Sequence, residues 1–382
     1  MREPAVLLHR ALVPPGEEPH ALLYGDPRGV LTCRAGEDVD AAFRAIERAL
    51  DAGLHVAGGF AYELGHALEP RLAPLAARTG GLLFQAGLFA RCERVDPAPY
   101  LAAGAGAGAR FAPRCGETRD AYIAKAERVL DYIAAGDVYQ VNFTFPLRFR
   151  WDAGPWALYA RLAPHQRVAF GAVLDLPDLA AASLSPELFF RVRDGRIEAR
   201  PMKGTALRGA TPEEDRRLAE GLAADPKNRA ENLMIVDLIR NDLSRIARVG
   251  SVRVDALFAV ETYETLHQMT SHVVAGLAGQ PSAAALMRAL FPCGSVTGAP
   301  KIRAMEIIAE LEGRPRGLYT GAIGAIAPDR SMTFSVPIRT IALERDGTAT
   351  MGIGSGIVAD SDPAQEYEEC LLKARFLTRA LG

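Results

Sequence analysis

Hydrophobic residues in the first part of the chain form short runs separated by polar and glycine positions. Runs at Ala5 to Leu8, Ala21 to Tyr24 and Leu82 to Phe89 have the length of strands, whereas Asp38 to Ala52 has the spacing of one amphipathic helix. A glycine directly after that helix is a common terminator. The pattern therefore predicts a small lobe of sheet and helix over residues 1–110.

A segment of alternating alanine and glycine, Ala102 to Ala109, follows this lobe. Its residues have almost no side-chain surface to pack, so we expect an exposed linker there. Beyond the linker the pattern predicts a helix from Asp120 to Ala135, a strand from Val138 to Phe145 and further strands up to Arg200. Residues 118–382 are therefore predicted to form a second and larger unit.

Three helices in the C-terminal half have clear start signals. Thr211, Asp225 and Asp362 each stand directly before a proline. Side chains of these types accept hydrogen bonds from the first free N–H groups of a helix, and proline suits the first helical position. We expect helices to begin at these three places.

Composition excludes several classes of protein. The chain has 382 residues, of which 49% are hydrophobic, and its formal net charge is -2. That charge gives no general attraction to nucleic acid or to an anionic membrane, so we expect neither as a partner. Five cysteines without C-x-x-C spacing argue against a disulfide framework or a structural zinc site. Because the sequence also has no secretion signal or membrane-spanning run, the expected location is the cytoplasm.

One lysine has an unusual local setting. Lys203 stands between Met202 and Gly204, after a proline and a strand-like run. Proline and glycine in this arrangement predict a lysine held by a rigid element. An amine becomes a nucleophile near neutral pH only when burial or a nearby cation lowers its pKa. The alternative is a solvent-exposed lysine in a turn.

Two of the predicted helices place carboxylates where a cation is needed. Glu231 lies on the apolar face of the helix that begins after Asp225, and Glu366, Glu369 and Lys373 share one face of the last helix. Oxygen ligands without clustered His or Cys favour Mg²⁺ over zinc. The alternative for the last helix is an exposed charged face with a salt bridge to Lys373.

Two glycine-bearing segments have the character of anion cradles. Gly294 to Lys301 leads into a predicted helix, whose free N–H groups favour a carboxylate or phosphate. Met351 to Ile357 is also rich in glycine, but its spacing differs from that of a dinucleotide-binding loop. Tyr319 and Arg339 lie between these segments and are suitable partners for carboxylates.

Seven motifs appear in an order that resembles the chorismate-utilising enzyme family, over residues 118–378. They are Ser185 to Glu187, Pro201 to Thr205, Asn228 to Asp237, Gly294 to Lys301, Gly317 to Gly321, Gly354 to Ile357 and Glu366 to Lys373. The resemblance implies an α+β fold of two large sheets packed together and flanked by helices. It also implies a cleft for chorismate and Mg²⁺, with a smaller N-terminal lobe packed on this core.

The resemblance implies roles for single residues. Glu187 resembles the general acid that protonates the leaving 4-hydroxyl, and His267 resembles a site histidine near the reacting ring. Glu231 and Glu369 resemble the Mg²⁺ ligands, with Glu366 nearby. The residues that resemble binders of the two substrate carboxylates are Gly204, Thr205, Ser295, Tyr319, Arg339, Gly354, Gly356 and Lys373.

Two positions indicate a branch of the family. Gln140 stands where members that add water at carbon 2 have a lysine base, and Lys203 stands where anthranilate-forming members have alanine. The resemblance therefore implies that Lys203 attacks chorismate and that ammonia then displaces it, giving 4-amino-4-deoxychorismate on the route to 4-aminobenzoate and folate. The resemblance also implies that the ammonia comes from a separate glutamine amidotransferase subunit. An anthranilate-forming enzyme and a non-catalytic chorismate-binding protein stay as alternatives.

The proposed proton donor carries a further expectation. Glu187 acts as an acid near pH 7 only if its pKa lies well above that of an ordinary carboxyl group. We expect burial and the charge of nearby carboxylates to raise its pKa.

Overall fold

The computed structural model of this chain describes residues 3–13, 18–102, 112–262 and 266–381, with the side chains of 77–79 left aside. Apart from Ala102, the predicted linker from Ala102 to Ala109 lies outside the described residues.

Backbone hydrogen bonds join much of the described chain into strands. They are β1 (Ala5–Arg10), β2 (His20–Arg34), β3 (His55–Phe60), β4 (Leu82–Val95), β5 (Arg114–Cys115), β6 (Gln140–Arg150), β7 (Phe170–Leu176), β8 (Leu179–Ser185), β9 (Leu188–Arg193), β10 (Arg196–Arg200), β11 (Met202–Leu207), β12 (Arg253–Thr262), β13 (Leu266–Gly276), β14 (Gly298–Ala299), β15 (Ala322–Ile326), β16 (Met332–Ser335), β17 (Thr340–Leu343) and β18 (Thr348–Ile357).

Helices occur between these strands and at the C-terminal end. They are α1 (Val39–Asp51), α2 (Leu64–Leu68), α3 (Ala73–Thr79), α4 (Ala98–Ala102), α5 (Arg119–Ala134), α6 (Gly154–Leu162), α7 (Pro212–Ala224), α8 (Pro226–Ser244), α9 (Ala283–Leu290), α10 (Lys301–Glu312), α11 (Pro363–Lys373) and α12 (Arg375–Leu381).

The three predicted helix starts are confirmed by their caps. The Thr211 hydroxyl accepts a hydrogen bond from the Glu214 N–H at 3.2 Å at the start of α7, and the Asp225 carboxylate accepts one from the Asn228 N–H at 2.7 Å at the start of α8. Asp362 caps α11 in the same way. Each cap satisfies an N–H group that the helix itself leaves without a partner, which is why the residue type and the following proline predict the boundary.

The strands pair in antiparallel fashion along one continuous series, which we call the pairing path. At one end β11 and β12 both pair with β13. The path then runs through β10, β9, β16, β15, β3, β4, β2, β1, β7, β8, β17, β18 and β6. Lys203 on β11 and the glycines of β18 therefore lie near opposite ends of the path.

The sheet folds over on itself into two layers with helices outside them. Side chains from β1, β2, β4, β7, β8 and β15 share one buried apolar cluster between the layers. A second cluster lies under α5, α6, α10, α11 and α12, and a third lies under α1, α8 and α9. The predicted α+β class, with two large layers of sheet flanked by helices, is confirmed.

Strand pairing crosses the predicted boundary between the N-terminal lobe and the larger unit. β1 pairs with β7, and β3 pairs with β15. The strands β1 to β4 thus occupy the middle of the pairing path. The division into residues 1–110 and 118–382 stays a prediction, and the hydrogen bonding of the sheet is continuous across it.

Across the described ranges, no helix has both the length and the apolar character needed to cross a membrane.

Candidate active site

Lys203 lies where the two ends of the pairing path meet. It is the second residue of β11, and the residue before it, Met202, pairs with Thr270 of β13. A Cβ added to Gly356 of β18 would lie 3.2 Å from Lys203 Nζ and 3.3 Å from the side-chain amide of Gln140 on β6. The amine of Lys203 therefore faces the other end of the path, as expected for a lysine held by a strand.

Burial is the main cause of a lowered pKa at Lys203. The positive charge of Lys373 lowers it further, whereas Glu231, Glu187 and Glu369 act in the opposite direction. The side chain keeps part of its surface exposed. A lowered pKa increases the fraction of neutral amine, which is the nucleophilic form.

Glu187 is a buried carboxyl group between β8 and β9, with 3% of its surface exposed. Burial raises its pKa to about 7, and the hydrogen bond from Ser295, the charge of Lys203 and the Met202 N–H all oppose the rise. The predicted rise and its first cause, burial, are thereby supported. The charged neighbour is Lys203 rather than the carboxylate that we expected.

Ser295 contacts the candidate proton donor directly. Its hydroxyl donates to Glu187 Oε1 at 2.6 Å and lies 3.2 Å from the Cys293 sulfur. Gly294–Val296 form a short 3-10 turn, and the N–H groups of Val296 and Thr297 donate to carbonyls of the same turn at 3.3 Å. In this arrangement the hydroxyl of Ser295 is hydrogen-bonded to Glu187. The contact of Ser295 with a substrate carboxylate stays a prediction.

The predicted second anion cradle, Met351 to Ile357, has the structure of a strand rather than a loop, and its contact with an anion stays a prediction. These residues belong to β18 and pair along their length with β6. The glycines instead permit close approach by neighbours: a Cβ at Gly352 would lie 2.1 Å from a ring carbon of Tyr319, and Gly356 borders Lys203. Glycine spacing alone does not distinguish a loop that binds anions from a strand that other side chains approach.

Three carboxylates on two helices, near Lys203, interact electrostatically with one another. Burial raises the pKa of Glu231 on α8, the charges of Lys203 and Lys227 lower it, and those of Glu366 and Glu369 on α11 raise it further. Like charges that influence one another across partly buried space favour a cation between them.

The last helix also shows the salt bridge that was the alternative explanation of its charges. Lys373 Nζ lies 2.7 Å from Glu369 Oε1, and both side chains are about half exposed. Lys373 also donates to the Gly354 carbonyl at 2.9 Å. Although burial acts to raise the pKa of Glu369, the neighbouring Lys373 holds it below its usual value. The salt bridge lies within α11, and the hydrogen bond from Lys373 to Gly354 joins this helix to β18 beside the site.

The donor set suits Mg²⁺, although the described residues contain no group of three or more His, Cys, Asp or Glu side chains placed to hold a metal. Mg²⁺ in proteins is commonly held by one or two carboxylates, with water and substrate oxygens completing its ligands. Glu231 and Glu369 match that pattern. Glu366 accepts a hydrogen bond from the Ser361 hydroxyl at 2.7 Å, so it is partly engaged already.

His267 is less available than its predicted role requires. It lies on β13 with 1% of its surface exposed. Its Nδ1 is 2.9 Å from the Thr262 hydroxyl and its Nε2 is 2.9 Å from Asp215 Oδ1. Both ring nitrogens are therefore engaged in holding β12 and α7 against β13. The catalytic role of His267 stays a prediction.

The remaining predicted binders surround the same region. Gly204 has a positive φ of 82°, and its carbonyl accepts a hydrogen bond from the Gln268 side chain at 2.7 Å. The Thr205 hydroxyl donates to the same side chain at 3.1 Å. Arg339 lines a small cavity together with Pro186 and Met202, the neighbours of Glu187 and Lys203. Their contacts with a substrate stay predictions.

The side chain of Gln140 has an unusual environment that the sequence does not reveal. The side chain is fully buried, and neither its Nε2 nor its Oε1 has a hydrogen-bond partner within the described part of the protein. An unpartnered buried amide is unfavourable unless a ligand or water completes it. Because this amide lies beside Lys203 Nζ, we expect a small polar group of a ligand, or a water molecule, to bind there.

A cavity of about 740 Å³ opens elsewhere in the molecule. Its lining includes Tyr24, His55, Phe170 and Arg191, and it includes none of the predicted site residues. The candidate active site is therefore identified by its chemical groups and their contacts, and this cavity lies apart from it.

Comparison with known proteins identifies the family to which the chain is similar. Residues 96–379 match the family of chorismate binding enzymes. An aminodeoxychorismate synthase from Streptomyces griseus is 48% identical over 264 residues, which are 69% of this chain and 36% of that protein. Aminodeoxychorismate synthase component 1 from Klebsiella aerogenes is 43% identical over 70% of this chain and 59% of its own length. Anthranilate synthase component 1 from Aquifex aeolicus is 42% identical over 69% of this chain and 53% of its own length.

The fold has a counterpart among solved structures. Anthranilate synthase component I from Streptococcus pneumoniae matches with a TM-score of 0.80 at 23% identity, over 96% of this chain and 94% of that one. The chain spans less than two thirds of the length of the curated relatives it matches. A family match that covers most of the sequence, together with this fold, shows that the chain belongs to the chorismate binding enzyme family.

Proposed function

We propose that this chain is the chorismate-aminating component of an aminodeoxychorismate synthase, which forms 4-amino-4-deoxychorismate from chorismate and ammonia. The observation that carries the proposal is the position of Lys203, whose amine lies beside Gly356 and interacts electrostatically with Glu187. A partly buried amine with a lowered pKa near a carboxyl group with a raised pKa is a suitable pair of nucleophile and acid.

The first chemical step uses both groups. The neutral amine of Lys203 attacks carbon 2 of chorismate, both ring double bonds shift by one position toward carbon 4, and the 4-hydroxyl leaves. Glu187 donates its proton to that hydroxyl, which departs as water. This step leaves a covalent adduct on Lys203 and a carboxylate at Glu187.

The second step restores the enzyme. Ammonia adds at carbon 4, both double bonds return to their original positions, and the bond from carbon 2 to Lys203 breaks to release the neutral amine. The Glu187 carboxylate takes up a proton from the added nitrogen. The enolpyruvyl group stays on the ring. The unpartnered amide of Gln140 lies beside the amine and suits a small polar reactant there.

We assign Glu231 and Glu369 as the residues that would hold Mg²⁺. The ion would supply charge neutralisation for a carboxylate of the substrate. The two glutamates come from α8 and α11, so their relative position depends on how these helices pack beside β11. The free cysteines fit a cytoplasmic protein, and we propose that location.

Incubation of the purified chain with chorismate, Mg²⁺ and an ammonium salt tests this function. We expect mass spectrometry to identify 4-amino-4-deoxychorismate. Anthranilate, recognised by the loss of pyruvate from the ring, would indicate the second candidate function, which the similarity to the Aquifex aeolicus protein favours. No consumption of chorismate would contradict both.

The assignment of the metal ligands predicts that Mg²⁺ affinity and activity fall together when one ligand is removed. Glu231→Gln removes one ligand charge from a site with few, so we expect weaker Mg²⁺ binding and lower activity together, each by about tenfold or more. Titration calorimetry with Mg²⁺ and a rate assay over a range of Mg²⁺ concentrations measure the two effects.

A matched control for that variant lies on α11. Glu368 is on the same helix as Glu369, but 66% of its side chain is exposed, so Glu368→Gln should leave both quantities unchanged. Unaltered Mg²⁺ affinity in Glu231→Gln would show that the two helices do not form the metal site.

The nitrogen source can be predicted from the cysteines. Release of ammonia from glutamine needs a reactive thiolate. Burial raises the pKa of all five thiols, to about 12 for Cys293 and to about 11 for Cys33 and Cys370. We therefore propose that a glutamine amidotransferase subunit supplies ammonia to this chain.

We expect this 382-residue chain to use ammonium at alkaline pH, where free NH₃ is more abundant, and to show no activity with glutamine until such a partner is added. Product formation is followed with each nitrogen source in turn. Glutamine-driven synthesis by the chain alone, from a preparation free of other amidotransferases, would overturn the need for a partner.

A further inference from the structure

One buried arginine behind the active site has a complete set of partners. Only 1% of the Arg316 side chain is exposed, and its Nε and Nη2 donate to the two carboxylate oxygens of Glu312 at 3.1 and 2.7 Å. Its remaining N–H groups donate to the Val296 carbonyl at 2.9 Å, the Asn142 carbonyl at 2.6 Å and the Thr320 hydroxyl at 3.3 Å. All five donors of the guanidinium group are thus engaged.

The acceptors belong to three separate segments of the candidate site. Val296 follows Ser295, whose hydroxyl contacts Glu187. Asn142 on β6 pairs with Gly356 on β18, the residue that borders Lys203. Thr320 follows Tyr319 in the turn before β15. One side chain therefore connects the turn of Ser295, which contacts the proton donor, with the strand pair beside the nucleophile and with the turn of Tyr319.

The partner carboxylate extends the same connection. The Glu312 side chain has no exposed surface, and its Oε1 also accepts hydrogen bonds from the N–H and the hydroxyl of Thr144, at 3.0 and 2.8 Å. Thr144 pairs with Gly354 on β18. Removing one partner of such a buried charge pair destabilises the fold, because the remaining charge stays buried without a partner.

A second carboxylate and an aromatic ring complete the surroundings of Arg316. Glu63 accepts hydrogen bonds from the backbone N–H groups of Arg316 and Gly317, at 2.7 and 3.0 Å. The guanidinium carbon lies 4.6 Å from the centre of the Tyr62 ring. These contacts fix the backbone and the plane of the guanidinium group, so the directions of its donors are also fixed.

We propose that Arg316 is a positioning residue, which holds the three segments in the relative places that chorismate binding requires. The inference rests on the proposed function, since chorismate is the ligand whose binding it predicts. Arg316 touches none of the groups to which we assign chemistry, so it acts through Val296, Asn142 and Thr320. A lysine has three donors without the planar fork and cannot make the same five bonds.

The test separates positioning from general stability through the KM for chorismate. In Arg316→Lys we expect the KM to rise about tenfold or more, as for loss of hydrogen bonds to a charged group. Two substitutions at Thr320 provide a second test in case Arg316→Lys does not fold. Thr320→Val keeps the side-chain shape and loses the hydroxyl, so its KM should rise about threefold, while Thr320→Ser should keep the wild-type KM.

Glu198→Gln is the matched control, because Glu198 also pairs with two basic groups, Arg191 and His272, away from the site. It should lower the Tm and leave the KM unchanged. Steady-state rates are measured at a temperature where circular dichroism shows each variant to be folded. A wild-type KM in both Arg316→Lys and Thr320→Val, or in Thr320→Val if the first does not fold, would overturn the inference. If the wild-type chain itself fails to consume chorismate, the proposed function fails and this inference fails with it.

Discussion

Lys203→Ala is expected to abolish most of the amination of chorismate, with kcat falling on the order of 10²-fold or more. The variant removes the only group to which we assign covalent attack on carbon 2. It also leaves Glu187 and the carboxylates of α8 and α11 in place, so binding of chorismate should persist. Product formation by mass spectrometry and chorismate binding by calorimetry measure the two consequences separately.

Lys227→Ala is the matched control for that experiment. Lys227 also interacts with Glu231 and Glu369, but its side chain is 47% exposed and it pairs with Asp360 on the surface. We expect this variant to keep most of its activity, because it loses a charge and no nucleophile. Full turnover by Lys203→Ala would remove the reason to prefer amination at carbon 4 over formation of anthranilate.

Glu187→Gln is expected to lower kcat by about 10²–10⁴-fold, the usual contribution of a positioned general acid. The amide has nearly the same shape as the carboxyl group and still accepts the hydrogen bond from Ser295, so the fold should be kept. It has no proton of suitable acidity to give to the leaving hydroxyl. Rates at saturating chorismate, with circular dichroism as a check on folding, measure the effect.

The pH profile gives an independent test of the same residue. Glu187 acts in its protonated form, and burial places its pKa at about 7. Activity should therefore fall as the pH rises through that value, provided that the concentration of free NH₃, rather than total ammonium, is held constant.

Ser295→Ala should move the fall in activity to higher pH, because the hydrogen bond from Ser295 stabilises the carboxylate and opposes the rise in pKa. A profile with no decline on the alkaline side in the wild-type chain would contradict the role of Glu187 as the acid.

Local signals in the sequence predicted the elements well. The helices α7, α8 and α11 begin where a capping residue and a proline predict them, because a cap acts over three or four residues of the same segment. The setting of Lys203 was also predictable, since a proline and a glycine restrict the backbone whatever packs around it.

Features that depend on distant partners were not predictable. The glycines from Met351 to Ile357 resemble a loop until their pairing with β6 is known. His267 has a sequence context that suggests chemistry, but Asp215 on α7 engages its ring. The buried pair of Arg316 and Glu312 looks in the sequence like any i, i+4 pair on a helix surface. In each case the deciding partner is remote or hidden in the fold.

The pairing path also has a consequence for how the protein reaches its working form. The amine of Lys203 meets β18 only when every strand between the two ends of the path is in place, and β1 to β4 supply the middle of that series. Contacts between residues so far apart in sequence form slowly, because a large loss of chain entropy precedes them. A piece of the chain starting at residue 118 would carry both halves of the site on sheets with no strand to join them. We therefore expect catalytic activity to return late in refolding, after the whole series of strands has formed. The rate at which activity returns after denaturation would report the completion of the sheet rather than the folding of any single segment.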